Sequence, residues 1–148
     1  MDQPAVLFTI GYEGSDMDAF IARLEKSHIK RIVDVREIPF SRKPGFSKTP
    51  LRKKLEEAGI EYVHIQQLGS PKSIRTKLKD DEDYESFFHA FSTYLDDNQI
   101  AIEEAYRHVL EASCCLMCFE RMPDKCHRSM VAEKIKQRDG NGLQVINI

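Results

Sequence analysis

Apolar positions along the chain fall into two kinds of run. Val6 to Ile10 (VLFTI) is short, continuous and β-prone, and Gly11 closes it, the pattern of a strand buried on both faces. Asp16 to Ser27 follows with Met17, Phe20, Ile21 and Leu24 at helical spacing. Ile32 to Val35 predicts a second strand. Thr49 to Ala58 predicts a helix, with Thr49 as N-cap, Pro50 at the first helical position and Gly59 as the stop. Ile60 to Ile65 reads as a third strand, and Tyr84 to Leu95 and Ile100 to Ala112 as two helices around Asp96-Asp97-Asn98. Cys114 to Phe119 is a fourth strand, Asp124 to Arg138 a helix, and Leu143 to Ile148 a last strand after Gly140-Asn141-Gly142.

Strands alternating with helices imply a parallel sheet with right-handed crossovers. The expected fold is α/β, a single Rossmann-like three-layer α/β/α domain with a mostly parallel sheet of about five strands. A length of 148 residues suits one domain with one core, and no repeat, low-complexity tract or Gly/Ser linker marks a boundary. With 41% apolar and 31% charged residues the chain is globular rather than disordered. The longest apolar runs, such as Cys114 to Phe119, are far too short for a membrane span, and Met1-Asp2-Gln3-Pro4 lacks a secretory pattern. The expectation is a cytoplasmic protein without a membrane partner.

Twenty-two Lys and Arg stand against 24 Asp and Glu, a net charge of −2 that excludes a globally basic nucleic-acid binder. The placement is uneven. Arg36 to Lys79 carries eleven cations and four acids, whereas Asp80 to Glu104 carries nine acids and no Lys or Arg. The acidic run Asp80 to Asp83 is expected to precede and cap the helix at Tyr84, and Phe87, Phe88, Phe91 and Leu95 to form its buried stripe.

The chemistry-bearing residues gather just after the strands, where parallel sheets bind ligands. Gly11-Tyr12-Glu13-Gly14 supplies close backbone approach and a carboxylate, but neither a dinucleotide fingerprint nor a P-loop. Asp34 and Arg36, two apart, share a face and either pair with each other or grip a polar ligand. The third strand supplies His64. The loop Ile38 to Lys48 presents Ser41, Arg42, Lys43, Ser47 and Lys48 between Phe40 and Phe46, a pattern suited to phosphate and a stacked base, or to a solvated loop whose rings plug the core.

The richest stretch is Cys118-Phe119-Glu120 to Cys126-His127-Arg128. Asp124 as a helix cap puts Cys126 and His127 in a first turn, where the helix end and Arg128 favour a thiolate. Three readings stay open: a metal site from Cys118, Cys126, His127 and Glu120; a nucleophilic or redox Cys126 with His127 or Glu120 as acid–base partner; or core cysteines beside a buried Glu120–Arg128 pair. The Cys-x7-Cys-His spacing matches no common zinc module. All four cysteines are expected to be reduced, with Cys114 and Cys115 as strand packing.

Taken together, Thr9 to Gly14, Asp34 to Pro39, Ser41 to Ser47, Tyr62, His64, Leu68-Gly69 and Cys118-Phe119-Glu120…Cys126-His127-Arg128 resemble the bacterial and archaeal "domain of unknown function 488" family over nearly the whole chain. The resemblance implies a small α/β protein and carries no settled reaction or residue role. The leading expectation is an enzyme-like or ligand-binding pocket at the C-terminal ends of the strands for an anionic, phosphorylated or nucleotide-derived ligand. Gly11, Tyr12, Asp34, Arg36, Ser41, Arg42, Lys43 and Arg128 would bind; Glu13, His64, Cys118, Glu120, Cys126 and His127 are the residues for chemistry. The alternatives are a nucleic-acid module on the basic segment 36–79 and a metal or thiol-redox protein built on Cys118, Cys126 and His127. Cofactor, metal identity and oligomeric state are left open by the sequence.

Overall fold

The structure is a computed structural model, and it describes residues 3–148. Its elements run β1 (Val6–Gly11), α1 (Met17–Lys26), β2 (Arg31–Asp34), α2 (Lys48–Glu57), β3 (Glu61–His64), α3 (Lys72–Asp81), α4 (Tyr84–Asp96), α5 (Gln99–Glu111), β4 (Cys114–Cys118), α6 (Arg128–Asp139) and β5 (Gln144–Asn147). The strands form one all-parallel sheet in the order β3-β2-β4-β1-β5. The expected α/β, Rossmann-like three-layer architecture is therefore correct. No helix among the described residues is long and apolar enough to cross a membrane.

Alternation along the strands divides the core. Leu7, Val33, Val35, Cys114, Leu116 and Cys118 face α4, α5 and α6, whereas Ile10, Ile32, Cys115 and Met117 face α1 and α2. The crossovers explain which helix goes where. From β1 through β2 to β3 the chain steps toward one edge of the sheet, using α1 and α2; the later connections step back, using the other face. Strand β4 is thus flanked by β2 and β1, whose chains both leave toward the opposite face. Ligand crevices open at such divergences, and here the divergence centres on Cys118.

Several local readings need correction. The second helix starts at Lys48 with Ser47 as N-cap, and Pro50 sits in its first turn, where its missing N–H costs nothing. Asp80 and Asp81 end α3, an element with no buried residue and hence almost no apolar signal in sequence. Asp83 alone caps α4, accepting from the Ser86 amide at 3.0 Å. Asp124 lies in a 3-10 turn over Pro123–Lys125; Cys126 is extended, at φ −123° and ψ 139°, and α6 begins at Arg128. Cys126 and His127 therefore precede the helix instead of occupying its first turn.

Candidate functional site

Two glycines let the strand ends close on one another. A Cβ on Gly11 would lie 1.8 Å from the Glu120 carbonyl oxygen, and one on Gly69 would lie 2.1 Å from the Glu37 amide nitrogen. Only glycine permits either approach. The first contact zips the β1 end to the β4 end: the Tyr12 amide donates to Cys118 O at 3.2 Å and the Glu13 amide to Phe119 O at 2.8 Å. The Glu13 carboxylate accepts from the Arg121 amide at 3.0 Å, so this acid holds the Glu120 loop and lies outside the cleft.

Two polar clusters result, on opposite faces of the sheet. On the α1/α2 side Asp34 is fully buried and accepts from the Arg36 amide (3.1 Å), Arg36 Nε (2.9 Å), Arg36 Nη2 (2.7 Å) and Tyr62 Oη (2.6 Å). The remaining Arg36 nitrogen donates to Phe46 O at 2.7 Å and Tyr12 Oη at 3.3 Å. Tyr12 stacks on Phe46 with centroids 4.5 Å apart. Burial alone would lower the Arg36 pKa, but the hydrogen bond and charge of Asp34 overcome it and raise it. Burial and then Asp34 push the Tyr62 phenol well above its ordinary value. Of the two readings of Asp34 and Arg36, the ion pair is the one the structure shows. His64 Nε2 donates to Arg36 O at 2.7 Å, and so positions the same strand end.

On the α4/α6 side, Cys118, Glu120, Cys126 and His127 bring one ligand-type atom each to within 4.8 Å of one another. Cys118 and Cys126 are joined as a disulfide, contrary to the expectation of reduced thiols; the β4 end and Cys126, two residues before α6, meet because the intervening loop doubles back. Cys114 and Cys115 are free and buried in the strand, as expected. His127 Nε2 donates to Val35 O at 2.7 Å, leaving Nδ1 toward Cys126 Sγ at 3.9 Å. Burial holds the His127 pKa down to about 4 and raises that of Glu120. Arg128 is wholly buried, with Nε on Thr9 Oγ1 (3.2 Å), Nη1 on Cys118 Sγ (3.2 Å) and Glu120 O, and Nη2 on Arg121 O (3.1 Å). It grips the Glu120 main chain, so the expected pair with the Glu120 carboxylate does not form; among the described residues Arg128 has no carboxylate ion-pair partner.

Above this second cluster opens a cleft of about 810 Å³. Cys118, Glu120 and His127 line its inner end, with Tyr12, Arg36, Glu37 and Ser70. Ile38, Phe40, Ser41, Arg75, Leu78, Lys79, Glu82, Tyr84, Phe87, Phe119 and Lys125 complete its lining. Of the sequence candidates, Tyr12, Arg36, Ser41, Cys118, Glu120 and His127 meet in the cleft; Gly11, Asp34, Cys126 and Arg128 lie behind it as support. Glu13, His64, Arg42 and Lys43 do not line it. Arg75, Lys79, Lys125 and Tyr84 were not singled out from sequence. Arg75 and Lys79 had no signal beyond membership of the basic run 36–79, since α3, which brings them to the cleft, shows little hydrophobic pattern; Lys125 and Tyr84 lie outside that run.

Comparison with known families matches residues 16–135 to the family described as "Domain of unknown function DUF488". A search of curated proteins and a search of solved structures find no match.

Proposed function

The chain belongs to the DUF488 family, and we propose that it uses the strand-end cleft to bind a small anionic molecule with a flat ring, of nucleotide type. The observation that carries this reading is the exposure of rings around one opening. Phe40 is 67% exposed, Phe119 45% and Tyr84 36%. All three line the cleft, together with Arg75, Lys79 and Lys125. Leaving large apolar faces in water is unfavourable and commonly marks a binding surface. Rings interleaved with cations suit a base and a phosphate. The cleft volume lies within the range of small-molecule sites.

The cations that serve the ligand are not those chosen by residue type alone. Arg36 and Arg128 have their donors committed to protein acceptors. Lys79 is exposed and forms no ion pair among those described, and Lys125 lies over the Tyr84 ring at 4.9 Å. A polyanion is the weaker reading. The basic segment is divided between α2, which covers one face, and α3, which packs on α4 over the other. On α2, moreover, Arg52 and Lys54 pair with Glu56 and Glu57.

Calorimetric titration with nucleoside monophosphates, with the matching nucleosides and inorganic phosphate as partial probes, tests the proposal. A monophosphate should bind more tightly than either part. Lys79→Gln or Lys125→Gln should weaken it roughly tenfold, about 1.4 kcal/mol, and Phe40→Ala should cost about 1–3 kcal/mol of stacking. No heat and no thermal shift across all four base types would overturn it.

A further inference from the structure

We propose that Cys118, Cys126 and His127 bind a divalent transition-metal ion of the zinc class, with Glu120 as an exchangeable fourth ligand at the inner end of the cleft. Bonds of about 2.3 Å to sulfur and about 2.0–2.2 Å to nitrogen and oxygen place tetrahedral ligand atoms roughly 3.4–3.8 Å apart. The Cys118 Sγ to Glu120 Oε2 edge is 3.6 Å and the Cys126 Sγ to His127 Nδ1 edge 3.9 Å. Two sulfurs, an imidazole and a carboxylate form a donor set of borderline softness, which selects zinc over magnesium or calcium.

Three further observations point to the same ion. First, His127 Nε2 is committed as a donor to Val35 O, which fixes the tautomer and leaves the Nδ1 lone pair facing the sulfurs. A metal-binding histidine is ordinarily oriented in this way by its second nitrogen. Second, each sulfur already receives an N–H: Arg128 Nη1 at 3.2 Å on Cys118 and the Arg128 amide at 3.4 Å on Cys126. A buried guanidinium without a carboxylate needs a counter-charge. Two thiolates, the Glu120 carboxylate, a divalent ion and Arg128 are neutral as a group. Third, the two Cα atoms stand 7.4 Å apart, wider than the roughly 4.4–6.8 Å usual for a disulfide and suited to sulfurs meeting at a shared centre.

The disulfide and the metal site are two states of one pair. A small thiol reductant breaks the Sγ–Sγ bond, taking the two electrons' worth of oxidation as its own disulfide and leaving two protein thiols. Metal binding then releases their protons to solvent. Cys118, Glu120 and His127 line the cleft and Cys126 does not, so the ion would present its Glu120 side to a bound ligand. Three firm ligands and one displaceable position is the arrangement of reactive zinc sites rather than purely structural ones.

Cobalt titration of the full-length, thiol-reduced protein under anaerobic conditions tests this. The expected result is one equivalent of Co2+ with a thiolate-to-cobalt charge-transfer band and intense tetrahedral d–d absorption, both bleached by Zn2+. Cys118→Ser and Cys126→Ser should each lose charge-transfer intensity. Glu120→Gln should keep it and shift the d–d bands, and Cys114→Ser should leave the spectrum unchanged. On wild-type protein, Zn2+ should protect Cys118 and Cys126 from alkylation, mapped by mass spectrometry, a readout that needs no variant to fold. A reduced protein with both thiols titratable but no cobalt band, or a wild-type alkylation pattern insensitive to zinc, overturns the proposal. Neither readout involves nucleotide, so its failure is separate from failure of the cleft reading.

Discussion

Replacing Gly11 with Ala tests the geometry on which the whole site rests. The added Cβ would stand 1.8 Å from the Glu120 carbonyl oxygen, 2.4 Å from its carbonyl carbon and 2.9 Å from Arg121 Cα. All three are backbone atoms, so no flexible side chain can swing away. Reaching an ordinary contact of 3.4 Å requires the Glu120 loop to retreat by about 1.6 Å. That retreat stretches the Tyr12 N to Cys118 O and Glu13 N to Phe119 O hydrogen bonds and draws the Arg121 amide from Glu13. Overpacking of this kind costs about 1–3 kcal/mol, and each weakened hydrogen bond about 1 kcal/mol. The expected loss is about 4–6 kcal/mol, measured as a shift of the urea midpoint at constant slope. Gly14→Ala is the matched control. Its φ of +81° strains an alanine, but the nearest atom to the new Cβ is Arg121 Nη1 at 3.8 Å, so it should cost only about 1–2 kcal/mol. A Gly11→Ala protein within 1 kcal/mol of wild type would refute the close approach.

Asp34→Asn should destabilise by about 3–5 kcal/mol, because it leaves the Arg36 guanidinium buried without its charge partner; urea unfolding checks this. In reduced native protein a thiol reagent at pH 8 should leave Cys114 and Cys115 unmodified. Burial pushes the Cys114 thiol up to about 12 and that of Cys115 higher still, so these two should react only on denaturation. In metal-free protein His127 makes stability fall with acid. Its folded pKa of about 4 lies below the unfolded value of 6.5, so the contribution is complete above pH 6.5 and lost as pH falls through 4. The full contribution is about 3 kcal/mol, and unfolding from pH 7.5 to 4 should show it shrinking in His127→Gln relative to wild type.

The architecture was legible because each strand is a compact apolar run and most helices bury a stripe. Phe20 and Leu24 in α1 and Phe91 and Leu95 in α4 are core residues that the spacing alone identifies. Helix α3 escaped because it has only Ile74 and Leu78 as apolar positions and buries neither fully. The turn at Pro123–Lys125 was read as a helix start since Asp124 is a good cap by type. Cap chemistry is local, whereas the burial of Arg128 against Cys118 and the Glu120 loop sets where α6 begins. That several chemistry-bearing strand ends converge on one cleft was legible, yet the partners of the cations were not. An arginine's type says that it can hold an anion. Only its partners say whether its donors are free, and those of Arg36 and Arg128 come from residues 10 and 119 positions away, Phe46 and Thr9.

This division of the cations also separates the two proposals physically. Lys79 and Lys125 reach the cleft from α3 and from the turn before Cys126, and neither donates to Cys118, Glu120 or His127. Neutralising them should weaken a nucleotide and leave the cobalt spectrum intact. Cys126 lies behind the cleft, bonded to Cys118, with the Arg128 amide and His127 Nδ1 also facing its sulfur. Its replacement should lower the charge-transfer intensity and weaken the nucleotide only insofar as the ion itself contacts the phosphate. The double variant Lys79→Gln/Cys126→Ser, whose two positions lie on separate elements, measures that contact. Additive losses in nucleotide affinity would mean that anion and ion occupy the cleft independently. A coupling beyond about 0.5 kcal/mol, the ordinary error of additivity, would place the bound phosphate against the metal.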